Sequence, residues 1–192
     1  ISFEPGVSVK YAKNENYWQE GRPYLDGVEI YFVDEPTTRS SAFQAGEYDI
    51  ILMNNLTVAS ELLGTGKFVV EQNKTGQGLV MTGLIPNSAE DGPFADPKVR
   101  QAMCYALDVE ALCEAFGYGL LTPLDQWASP DAVTYDTSLE CFSYNPDKAR
   151  ELLAEAGYPD GFDTTLTTDA GNSDMFTAAA NMLSDVGIRC EI

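Results

Sequence analysis

Apolar and polar residues alternate along 7–13, VSVKYAK, and again along 27–33, GVEIYFV. A period of two sends successive side chains to opposite faces of a strand, so the two stretches read as half-buried strands, paired across the loop NENYWQEGRPYLD. The period then lengthens. Glu35 and Pro36 open a short helical segment, TTRSSAFQAG, which ends at Gly46 and leads into the apolar run YDIILM, giving a β-α-β pattern. LTVASELL at 56–63 reads as a second short helix and KFVVEQ at 67–72 as another strand. Gly76 and Gly78 break the chain before the apolar stretch LVMTGLI at 79–85.

From Pro93 onward the helices carry marked ends. In PFADPKVRQAMCYALD, Asp96 caps the first turn, Pro97 takes the first helical position, and Val99, Ala102, Met103 and Ala106 form an apolar stripe. Asp108 restarts a helix through Cys113 to Phe116, closed by the glycines at 117 and 119. Residues 120–143 hold turn formers and no sustained period, which predicts a long ordered loop. In YNPDKARELLAEAGYPDGF, Asn145 caps, Pro146 starts, Leu152, Leu153 and Ala156 face a core, and Gly157 supplies the left-handed closing residue. FDTTLTT follows as a strand, DAGNSD as a loop, MFTAAANMLSDVG as a helix and IRCEI as a last strand. Strand, helix, strand implies a parallel pair joined by a crossover.

Composition narrows the function. The chain has 192 residues, no histidine, 11 basic and 30 acidic residues, and a net charge of −19. That balance argues against nucleic acid or an anionic membrane surface as partner. No window reaches the ~20 apolar residues of a membrane span. The stretch from Ile1 lacks a charged n-region, an apolar h-region and a cleavage site, so the chain reads as mature, truncated or both. Cys104, Cys113, Cys141 and Cys190 lack the C-x-x-C spacing of a metal or redox site, so no metal or other cofactor is expected. Free thiols and one or two disulfides both remain open for them.

Three cassettes in order carry a resemblance: EPGVSVKYAKNENYWQEGRPYLDGVEIYFV, then AFQAGEYDI, then GPFADPKVRQAMCYALDVEALCEAFGYG followed by YNPDKARELLAEAGYPDGF. Together they resemble the bacterial extracellular solute-binding proteins of family 5, receptors for ABC importers of peptides, nickel chelates and some oligosaccharides. The resemblance implies an α/β fold with lobes like those of type II periplasmic-binding proteins, mixed sheets and flanking helices. It also implies a two-lobed protein that closes on its ligand by a hinge, with this chain as its middle. Residues 1–82 would then be a segment of the hinge-side lobe and 83–192 the first half of the opposite one. In peptide-binding members an acidic residue that holds the ligand amine often lies further on, beyond Ile192. The implied protein is extracytoplasmic, in the periplasm or held at the surface as a lipoprotein. Its partners would be a small-molecule or short-peptide ligand and ABC permease subunits.

The resemblance also nominates site residues. The strand 79–87 corresponds to a family segment that presents alternate side chains to the cleft, with Met81, Gly83 and Ile85 on one face; plain core packing is the competing reading. Some relatives carry aromatic or acidic residues here, which sets this chain apart. Met53 and Asn54 follow the strand of the first lobe, where relatives contact ligand, and Asn54 offers both a donor and an acceptor unless it caps the helix beginning near Leu56. Asp169, Gly171 and Asn172 occupy a loop beyond a strand's carboxyl end, or cap the next helix. Trp127 stacks on a ligand or pins its own loop. Tyr17 and Trp18 are assigned to packing of the strand-connecting loop.

Catalysis finds little support. Asp125 and Asp131 would be the nearest carboxylate pair for glycoside hydrolysis, but nothing around them separates their roles. The absence of histidine removes Ser-His and Cys-His nucleophile systems, and GTG at 64–66 and GQG at 76–78 lack the rest of a dinucleotide loop. The sequence therefore predicts a binding protein. A sensor or adhesion module on the same fold is the alternative.

Overall fold

A computed structural model describes residues 1–71, 82–89, 91–130, 132–139, 141–168 and 173–192. The chain divides into two units, Ile1–Lys67 and Phe68–Ile192. In the first, strands β1 (Ser2–Glu4), β2 (Ser8–Ala12) and β3 (Gly27–Tyr31) form an antiparallel sheet in the order β1-β2-β3. Both alternating stretches are strands, and they pair as expected, with Lys10 opposite Glu29. That register lets Lys10 Nζ donate to Glu29 Oε2 at 2.8 Å and to the Tyr31 hydroxyl at 3.1 Å. Hydrogen bonds to the Glu29 carboxylate lower it below its ordinary value, Lys10 first and Tyr31 second. β1 had no alternation to announce it.

Two helices follow, α1 (Pro36–Gln44) and α2 (Leu56–Gly64), the latter burying Val58, Ala59 and Leu62. Glu35 caps α1 with its side chain, accepting from the Thr37 hydroxyl and from the Thr37 and Thr38 amides. The Thr37 hydroxyl, then those amides, hold the Glu35 carboxyl down to about 2 against an ordinary 4.5. A folded-state value below the unfolded one gives stability that is complete above pH 4.5 and is lost as pH falls toward 2. The α1 amides of Thr37 and Thr38 are therefore expected to lose hydrogen-exchange protection across that window. Glu35→Ala should weaken them already at neutral pH and abolish the acid step. An identical acid step in both proteins would show that the cap does not report it.

Three expected strands make no ladder among the described residues. YDIILM is irregular, KFVVEQ is irregular over its described part, 67–71, and 82–85 makes no ladder, while 79–81 lies outside the described residues. A strand needs a neighbour to take its amides and carbonyls, and among the described residues none pairs with these. Ile50 and Leu52 are consequently 84% and 86% exposed.

The second unit opens with a single 3-10 turn at Pro93–Ala95 and continues through α3 (Pro97–Ala106) and α4 (Val109–Phe116). Beyond the 120–143 loop come α5 (Pro146–Glu155), β4 (Phe162–Thr165), α6 (Ser173–Asp185) and β5 (Ile188–Glu191). Asp96, Asp108 and Asn145 cap their helices through side-chain oxygens, as their positions before each apolar stripe required. β4 and β5 pair in parallel, Phe162 opposite Ile188, with α6 as the crossover. Val99, Ala102, Met103 and Ala106 of α3 meet Ala149, Leu152 and Leu153 of α5 over Phe162, Leu183 and Ile188. Each large side chain fully buried in this way contributes about 1.5–3 kcal/mol, so this core is the main source of the unit's stability. Lys98 and Glu155 join α3 to α5 at 2.8 Å, but both are half exposed and add little.

The four cysteines are free thiols, each partly buried. Burial pushes the Cys104, Cys113 and Cys190 thiols above their ordinary value, which keeps them protonated and unreactive at neutral pH. Among the described residues no helix is long and apolar enough to cross a membrane.

Candidate functional site

The nominated residues that the structure describes, Met53, Asn54, Gly83, Ile85 and Trp127, fall on irregular backbone. In the first unit Met53 is half-buried and Asn54 exposed, in the segment that delivers the chain to α2. The cap of α2 is Asn55, whose Oδ1 accepts from the Val58 amide at 3.0 Å. The capping role considered for Asn54 belongs one residue later, which leaves the Asn54 amide out of the cap.

In the second unit, Leu84 is half-buried and packs on the core, whereas Gly83 is exposed and Ile85 is 80% exposed. Of the expected alternation only Leu84 turns inward: Thr82, which would share its face, is exposed, as are Gly83 and Ile85. Core packing accounts for Leu84 and not for Ile85. Met81, Asp169, Gly171 and Asn172 lie outside the described residues, as does Asp131.

Among the described residues of the 120–143 loop, side chains tie the backbone to itself. Gln126 forms a two-point clasp with Asp136, its Nε2 donating to the Asp136 carbonyl and its Oε1 accepting from the Asp136 amide, both at 3.1 Å. Beside it the Tyr135 hydroxyl donates to Asp125 Oδ2 at 3.3 Å. Partial desolvation, then the Asp125 charge, push the Tyr135 phenol above its ordinary value, so it stays a donor. Asp136 in turn accepts from the Ser138 hydroxyl and amide, which lower its carboxyl. Asp125, weighed above as a hydrolytic carboxylate, is thus engaged by a loop tyrosine. Trp127 follows Gln126 directly and is 71% exposed. Gln126 and Tyr135 had escaped sequence reasoning, because nothing local marks a glutamine that closes on a backbone ten positions away.

Trp18 departs from the packing role assigned to it. It is 79% exposed, and its ring meets Tyr17 at 5.8 Å between centroids. A loop of alternating polar residues and turn formers gives such a large ring little apolar surface to rest on.

Comparison with known proteins places this geometry. The family described as bacterial extracellular solute-binding proteins, family 5 Middle, matches residues 1–192. The chain is similar to heme-binding protein A of Haemophilus influenzae, 36% identical over 164 residues, covering 85% of this chain and 29% of that protein. It is also similar to the glutathione-binding protein GsiB of Salmonella paratyphi A, 33% identical over 187 residues, 96% of this chain and 36% of that one. Among solved structures, the periplasmic binding protein DppA of Helicobacter pylori in complex with the peptide STSA superposes with a TM-score of 0.75. Identity there is 25%, over 100% of this chain and 37% of that one. The chain spans about a third of the length of these relatives. Its fold is the α/β fold of type II periplasmic-binding proteins, and the relatives are binding proteins, not enzymes.

Proposed function

We infer the function of this chain from one premise: it belongs to the bacterial extracellular solute-binding proteins of family 5. Members of that family are the solute-binding components of ABC importers and work outside the cytoplasm. We propose that the protein to which this chain belongs captures short peptides there, held in the periplasm or tethered as a lipoprotein, and delivers them to permease subunits. The observation that carries the reading is the family match over residues 1–192. Capture proceeds by hinge closure of the complete receptor, so ligand binding stabilises a closed form that the permease distinguishes from the open one. There is no covalent step. Met53, Asn54, Gly83, Ile85 and Trp127 are the described candidates for ligand contact, with Met81, Asp169 and Asn172 beside them in sequence terms.

Peptides are favoured within the family's range for two reasons. Two relatives bind a tripeptide-sized or tetrapeptide ligand by their descriptions, glutathione and STSA. The candidates Met53 and Ile85 are apolar, which suits side chains of a peptide better than a bare metal ion. A haem-type solute is the second reading, supported by the identity to heme-binding protein A. Both would use apolar contact surface, and titration separates them.

Calorimetric titration of the full-length protein with a mixed short-peptide pool, haemin, a nickel-chelate series and an oligosaccharide set is the test. Saturable heat with peptides alone is the expected result. Saturation by haemin alone would replace peptide with the second reading. No binding in any arm would remove support for transport and bring forward a sensor or adhesion use of the fold, which lacks the permease partner.

A further inference from the structure

Trp127 is a large ring left in solvent by a loop that is otherwise tied to itself. Its sequence neighbours are all better covered: Gln126 and Ala128 are half-buried and Ser129 is buried. Two further backbone bonds tighten the turn, Ala132 N to Ser129 O at 2.9 Å and Tyr135 N to Ala132 O at 3.0 Å. An exposed tryptophan on a slack loop loses ring freedom on binding, which subtracts from any contact it makes. Here the Gln126 clasp restrains beforehand the backbone that carries the ring. It satisfies both backbone groups of Asp136 in one side chain, and Tyr135 with Asp125 braces the same crossing point.

From this arrangement we propose that Gln126 is a positioning residue, and that the loop it closes presents Trp127 as a preorganised contact for a flat or apolar part of the solute. The inference rests on the solute-capture reading above and adds a residue and a physical role to it. Trp127 touches solute through its ring face; Gln126 acts only through Trp127, by fixing the backbone that carries that ring. Asp125 and Asp136 each accept from loop donors, and beside this crossing point the indole ring and its N–H stand open to a solute.

A double-mutant cycle in the full-length protein tests it, with reduced glutathione, a mixed tri- and tetrapeptide pool and haemin as probes in calorimetry. Trp127→Ala is expected to weaken binding of the probe that wild type takes by about tenfold, and Trp127→Phe by less, because a ring face remains. Gln126→Ala is expected to weaken it about threefold with an unchanged melting temperature, and to add nothing once Trp127 is alanine. A merely structural glutamine would instead lower the melting temperature and add its effect to that of Trp127→Ala, which would overturn the positioning role. Binding by Trp127→Ala within about twofold of wild type would overturn the contact itself. Failure of wild type to bind any of the three probes is a different result: it removes the capture reading, and this inference falls with it.

Discussion

Gly161→Ala is expected to destabilise the second unit by about 4 kcal/mol or more, a large share of the roughly 5–15 kcal/mol that a domain usually has. Gly161 has φ +74°, a left-handed conformation that costs a residue with a side chain about 1–2 kcal/mol. Space is the larger problem. A Cβ on Gly161 would clash with the Gly187 carbonyl oxygen, which is rigid backbone and the acceptor of the Phe162 amide at 2.9 Å. The two glycines let β4 and β5 begin side by side, with Phe162 opposite Ile188 in the next position. Forcing them apart pulls both buried side chains from the α3–α5 core, at about 1.5–3 kcal/mol each if the loss were complete. Gly157→Ala is the control, since φ is +90° there but a methyl group added to Gly157 would meet no atom within 4 Å. It should cost only about 1–2 kcal/mol, the conformational part alone. Urea unfolding followed by circular dichroism reads the difference. Equal losses in the two variants would mean that the close approach of the strands does not govern the site.

The same contrast between local and distant requirements explains what could be read from the sequence. Helix ends were legible because a cap is satisfied within three residues: Asp96 accepts from Lys98, Asp108 from Ala111 and Asn145 from Lys148. The paired strands around VSVKYAK and GVEIYFV were legible because their partners are close in the chain. The parallel pair was legible too, since a strand, a helix and a strand leave few other arrangements. YDIILM carries as strong an apolar pattern, but a pattern encodes only a wish for burial. A ladder also needs a second strand, and among the described residues none stands beside it.

Site residues were less legible for a related reason. Asn54 and Asn55 are chemically identical, and only the geometry of the turn decides that Asn55 gives its oxygen to the helix. Leu84 and Ile85 are both branched aliphatics at adjacent positions, and only the core decides that Leu84 is covered. The clasp of Gln126 on Asp136 spans a loop without periodicity, so neither hydropathy nor spacing could have nominated it. Family resemblance supplied candidate places; which neighbouring residue caps or is covered was decided by the fold.

The 192-residue chain on its own is expected to self-associate as salt is raised, by edge pairing through β3. β3 has β2 on one side, and among the described residues no strand lies on its other edge. All five of its residues are exposed, Val28 and Ile30 among them. Its single charge, Glu29, which would ordinarily discourage pairing, is engaged by Lys10 across the sheet. Ile50 and Leu52 add exposed apolar surface. Opposing association is a net charge of −19, whose repulsion reaches about 30 Å at 0.01 M salt and about 3 Å at 1 M. Repulsion therefore wins in dilute buffer and apolar contact wins at high salt. Lowering pH toward the isoelectric point near 4.1 removes charge and acts in the same direction as salt. Sedimentation velocity should show a species of 20.9 kDa in dilute buffer at neutral pH and larger species near about 1 M salt. Ile30→Lys places a second charge on the edge and should keep the chain monomeric at high salt, whereas lysines at 50 and 52 should only reduce association, because that segment offers no strand edge to pair. A monomer at every salt concentration would refute the driving force, and association undiminished by Ile30→Lys would move it away from β3.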